Sequence, residues 1–112
     1  MTRVEKGKYS ALIRGDYLAK LPSDRDKSIQ ASILHFLELP SAQRKEATDK
    51  QRVHIIFPAE VPPDYLMWLQ HIKVPDELVK ELEGSVKYND LDRILNAAIK
   101  LWLRDKGEQI VD

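Results

Sequence analysis

The sequence holds no cysteine. Disulfides, thiolate-bound metals and thiol nucleophiles are therefore excluded. Its four glycines are scattered, so no glycine-rich loop can cradle a phosphate. Long apolar runs are missing as well. The longest, YLMWL at residues 65–69, falls far short of the roughly 20 residues a helix needs to cross a bilayer. Met1, Thr2 and Arg3 lead into charged residues rather than the apolar core of a signal peptide. No membrane contact and a cytoplasmic location are expected. The three histidines, His35, His54 and His71, are 19 and 17 positions apart, which is no metal-ligand spacing. No serine stands in a recognisable nucleophile motif. The expectation is a protein that is not an enzyme and takes no cofactor or metal.

An excess of one charge is also lacking, since 18 Lys and Arg balance 18 Asp and Glu. That argues against a uniformly basic nucleic-acid binder. The balance is uneven along the chain, however. Residues 1–57 carry 11 positive and 7 negative charges, and residues 58–112 carry 7 and 11. Such a split permits a basic N-terminal arm or face, or simple attraction between halves or subunits. The rest is globular in character, with 43% hydrophobic and 32% charged residues in 112. PAEVPP, residues 58–63, cannot be regular structure. It suggests a boundary between a first half, 1–61, and a second, 62–112, in a chain whose length also suits one compact domain.

MTRVEKGK reads as a mobile basic arm. YSALIR, residues 9–14, is a short strand or a loop, and Gly15-Asp16 is a turn signal. A helix opens at Pro22-Ser23-Asp24, with Ser23 as N-cap and Asp24 and Asp26 against the positive end of the dipole. Ile29, Ile33, Phe36 and Leu37 share its apolar face, and Pro40 closes it. Residues 41–52 have only alanine for apolar content, so they form a solvated helix or a linker. VHIIF, residues 53–57, is a β-branched strand candidate.

The second half is more regular. Pro75 suits a first helical turn, Leu78, Val79 and Leu82 make a buried stripe, and Gly84 is the expected left-handed stop. Asn89 caps a second helix. There Leu91, Ile94, Leu95, Ala98, Ile99, Trp102 and Leu103 recur at helical spacing, and Asp92, Arg93, Asn96, Lys100 and Arg104 form the wet face. Gly107 ends it. This helix echoes the earlier one: DRDKSIQASILHFL from Asp24 aligns with DLDRILNAAIKLWL from Asp90, five positions being identical and four alike. Duplication explains that, and so does convergence of two amphipathic helices with acidic starts. Trp102 fits the core stripe, and Trp68, inside an apolar run, is expected to be buried.

IKVPDELVKELE followed by YNDLDRILNAAIKLWL resembles the ribbon–helix–helix family of dimeric bacterial and phage regulators. The match spans about residues 69–104. It implies that two chains pair their strands into one antiparallel ribbon whose outward side chains enter the DNA major groove. On this sequence it implies that Ile72 and Val74 point inward while Leu69, His71 and Lys73 face DNA. It also implies a phosphate contact at the start of the second helix, Asn89, with arm residues Arg3, Lys6 and Lys8 in support. Leu69 stands where a polar base reader is expected, Gln70 where an apolar residue is, and Asp90 and Asp92 bring negative charge to the phosphate contact. The fold class expected is mainly α with one or two short strands: a C-terminal ribbon–helix–helix-like unit preceded by a helical N-terminal half. The function implied is a homodimeric, sequence-specific DNA-binding regulator, repressor or antitoxin-like, whose first half adds phosphate contacts or binds a protein partner.

Alternatives stand beside this reading. Pro62-Pro63-Asp64 can start a helix over residues 65–71, which abolishes the ribbon, although the residue before Pro75 favours extended backbone. RVHIIF can be the ribbon strand instead, or can pair with YSALIR. The functional alternative is a protein–protein interaction module without a nucleic-acid role, docking through residues 65–69 or through part of a helical core shared with a partner.

Overall fold

The computed structural model describes residues 1–51, 66–87 and 89–110. The strand expected in VHIIF and the boundary expected at PAEVPP lie outside the described residues. The elements run β1 (Thr2–Glu5), β2 (Lys8–Arg14), α1 (Gly15–Lys20), α2 (Arg25–Leu37), α3 (Ser41–Lys50), β3 (Met67–Lys73), α4 (Asp76–Gly84) and α5 (Leu91–Asp105). The strands form one antiparallel sheet in the order β1-β2-β3.

Period-two alternation sets the sheet's two faces. In β2, Tyr9, Ala11 and Ile13 are buried, and at the end of β3 Ile72 is, followed by Val74. This face lies on the helices. α5 runs against β2, α1, α2, α3 and α4, and α2 against α5, α4 and β3. Ile29, Ile33 and Phe36 of α2, Leu82 of α4, and Ile94, Leu95, Ile99 and Leu103 of α5 complete the core. Each such side chain, fully buried, contributes about 1.5–3 kcal/mol against chain entropy.

Helix ends are sealed locally. The Asp24 carboxylate accepts from the Lys27 N–H at 3.2 Å, and the Asp90 carboxylate from the Asp92 N–H at 3.3 Å. At the end of α5, Gly107 takes φ +90°. Its N–H donates to Arg104 C=O at 3.0 Å, and the Glu108 N–H donates to Leu103 C=O at 3.0 Å. That is the paired-bond stop that a left-handed residue permits.

Several expectations are corrected. The fold is an α/β arrangement around a three-stranded antiparallel sheet, not mainly α with its strands confined to a C-terminal unit. The first half is not purely helical, because it opens with a β hairpin. The expected mobile arm is β1, every residue of which is exposed. Its charged composition hides a strand that is held by pairing rather than burial. Gly15-Asp16 begins α1 rather than turning the chain. Asp24 and Asp90 take the cap positions expected of Ser23 and Asn89. Gly84 stays inside α4, whose C-cap is Ser85 in a right-handed conformation. Asn96 and Lys100 are buried, not wet, because α5 is central and has neighbours on every side. Trp68 is 55% exposed, because among the described residues no further strand flanks β3. The helix alternative for residues 65–71 fails at β3, which is extended from Met67 to Lys73.

Candidate nucleic-acid interface

The face of the sheet turned away from the helices is built from alternate residues of β2 and β3. Lys8 lies opposite Lys73, Ser10 opposite His71, and Leu12 opposite Leu69. The flanking bonds Val74 N–H to Gly7 C=O at 3.0 Å and Gly15 N–H to Leu66 C=O at 2.9 Å fix the alternation. They make the inward pairs the hydrogen-bonded ones, so each outward pair is of the closer, non-hydrogen-bonded kind. Like charges so placed weaken the strand pair. Lys8 is relieved in part by Glu5 at 2.6 Å. Among the described residues Lys73 makes no ion pair of its own. Val4, 63% exposed, lines with Lys8, His71, Lys73 and the acidic Asp26 a cleft of about 270 Å³ at the Lys8 end of the ribbon.

Side chains of α2 and α5 hold the ribbon's backbone edges. On β2, Asn96 accepts from the Arg14 N–H at 3.0 Å and donates to Leu12 C=O at 2.8 Å. On β3, Asp26 accepts from the Lys73 N–H at 3.0 Å, and Gln30 donates to Lys73 C=O at 2.9 Å. These bonds satisfy backbone groups that would otherwise face an open sheet edge, and they leave the Lys73 side chain exposed.

One end of the hairpin is clamped by Asp76. Its carboxylate accepts from Tyr9 Oη at 2.6 Å, from the Gly7 N–H at 3.0 Å and from Arg3 Nη2 at 3.1 Å. The Tyr9 bond foremost, then the Gly7 N–H and Arg3, hold the Asp76 carboxyl down at about 2. Tyr9 is raised in turn, first by burial and then by Asp76. At the other end the Arg14 guanidinium bridges Asp16 at 2.7 Å and lies 4.4 Å above the Tyr17 ring. Burial pushes the Tyr17 hydroxyl up to about 12.

The sequence-predicted site residues thus fall into two groups. Leu69, His71, Lys73 and Lys8 share one exposed face, and Ile72 and Val74 point into the core as expected. Arg3 is engaged by Asp76, Lys6 sits in the hairpin turn, and Asn89 precedes the α5 cap, its side chain donating to Lys87 C=O at 3.2 Å. Sequence reasoning missed Ser10 and Leu12, whose signal was the alternation within YSALIR. It also missed Asn96, whose signal was a lone amide inside ILNAAI.

Elsewhere a cleft of about 450 Å³ is lined by Trp102 and Leu103 and flanked by Lys20, Lys27 and Lys106. Among the described residues no cluster of His, Asp and Glu suits a metal ion, and no helix is long and apolar enough to cross a membrane. Comparison with protein-family models, with curated proteins and with solved structures finds no match to this chain.

Proposed function

We propose that the outer face of β2 and β3 enters the major groove of double-stranded DNA, and that the protein is a sequence-specific DNA-binding regulator of the cytoplasm. The observation that carries this reading is the Lys8–Lys73 pair, two cations set against each other on an exposed sheet face. A polyanion laid over them turns that repulsion into binding. β2 and β3 make a two-stranded antiparallel ribbon of the width the major groove admits, with β1 alongside only the Lys8–Ser10 stretch of β2. Its polar outward groups, Ser10, His71 and Lys73, suit base edges, and its apolar ones, Leu12 and Leu69, suit thymine methyls. The order β3–α4–α5 matches the strand–helix–helix order of the ribbon–helix–helix family and supports the same reading. Because β3 already pairs with β2, such a ribbon needs no second chain.

The test is a gel shift on a duplex enriched from a random pool by the full chain. Lys73→Ala, a change at an exposed side chain, is expected to lose the ~1–3 kcal/mol of a base contact without changing the far-ultraviolet dichroism. A variant that binds as well as the parent removes Lys73 from the interface. Exposure of Trp68 and Leu69, at 55% and 59%, favours a second reading, a protein-docking module. On that reading the pool yields no enriched sequence.

A further inference from the structure

Two stretches of the chain share one element order. β2–α1–α2 and β3–α4–α5 are each a strand, a short helix and a longer helix. In the register of β2 on β3, an axis through the Ala11–Gln70 pair exchanges the two strands. It brings Tyr9 onto Trp68, Ile13 onto Ile72 and Arg14 onto Lys73. The helices obey the same exchange. α5 packs on the other unit's β2 and α1, and α2 packs on the other unit's β3 and α4. Hydrogen bonds repeat it as well. The last N–H of each strand is taken by the opposite unit's long helix, Arg14 by Asn96 and Lys73 by Asp26. Sequence agrees outside the long helices too: GDYLAK and PDELVK share Asp16/Asp76, Leu18/Leu78 and Lys20/Lys80.

Two units so interlaced make one reading head, but its halves are not chemically alike. Ser10 corresponds to Leu69, Leu12 to His71, and Lys8 to Met67. Arg14 is 1% exposed and tied to Asp16, whereas its counterpart Lys73 is exposed. β1 flanks only β2. Identical subunits impose palindromic targets because both half-sites meet the same side chains. Here nothing imposes that. We propose that one molecule reads one non-palindromic duplex site, the end of the ribbon that carries Lys8, Ser10, His71 and Lys73 on one half-site and the end that carries Leu12 and Leu69 on the other. This rests on the DNA-binding reading above.

The experiment uses the full chain and the duplex it enriches from a random pool. Sedimentation above the dissociation constant is expected to give one chain per duplex. Two palindromes, each built from one half of that duplex doubled, are expected to bind at least about tenfold more weakly, since several base contacts are mismatched in each. His71→Ala and its counterpart Leu12→Ala are expected to relax base preference in opposite halves. Two chains on an enriched palindrome, or both variants acting on the same half, leave the DNA reading standing and overturn this inference. Failure to enrich any sequence overturns both.

Discussion

Asn96 is the most informative single position for the fold. Its side chain is fully buried and joins α5 to β2 through the Arg14 N–H at 3.0 Å and Leu12 C=O at 2.8 Å. A third bond, to Asp92 C=O at 2.7 Å, lies within α5 and concerns a carbonyl that the helix already engages. Asn96→Ala therefore orphans two backbone groups. A buried group left unpaired costs about 1–3 kcal/mol. A water entering the vacated space recovers part of this. The expected loss is about 2–4 kcal/mol, a large share of the roughly 5–15 kcal/mol typical of a domain. Gln30 holds the corresponding edge of β3, but its bond to Lys73 C=O is exposed. Water replaces it there, so Gln30→Ala is expected to cost less than about 1 kcal/mol. Urea unfolding followed by far-ultraviolet dichroism measures both. Equal losses in the two variants would refute the argument that α5 pins the ribbon through a buried amide.

The remaining predictions are smaller. The Asp76 carboxyl is held at about 2 against an ordinary 3.8, so between these values the unfolded chain binds more protons and stability falls as pH drops. Asp76→Asn is expected to flatten the urea midpoint over that window, and an unchanged slope would show that the carboxylate is not clamped. Gly107→Ala strains a φ of +90° with nothing crowding the new methyl, and should cost about 1 kcal/mol. Gly84→Ala, inside α4 and equally uncrowded, should instead stabilise by about 0.4–1 kcal/mol. Melting curves of the pair distinguish which glycine is the true helix stop.

How much of this was legible depended on how local the determinant is. α4 and α5 follow from apolar spacing, and the alternation of Ile72 and Val74 against His71 and Lys73 was readable because Pro75 cuts the strand off from the helix. The β1–β2 hairpin was not, since its charged residues look like a solvated arm until Asp76, far along the chain, closes on Gly7, Tyr9 and Arg3. Nor was the partner of β3, because strand pairing over so long a separation leaves no local mark. The echo between α2 and α5 was visible as letters. Its meaning needed the register of β2 on β3 and the crossed helix packing. Asn96 was misread as wet because the polar face of a helix is inferred from one neighbour, and α5 has several.

The central claim is that the outward face of β2 and β3 is the surface that meets DNA. An amide and methyl chemical-shift titration of the labelled full chain with its enriched duplex tests it most directly. The account predicts that the largest changes fall on Lys8, Ser10, Leu12, Leu69, His71 and Lys73, with α3 and the Trp102 cleft unmoved. Changes centred on the helices, or none at saturating duplex, would contradict it.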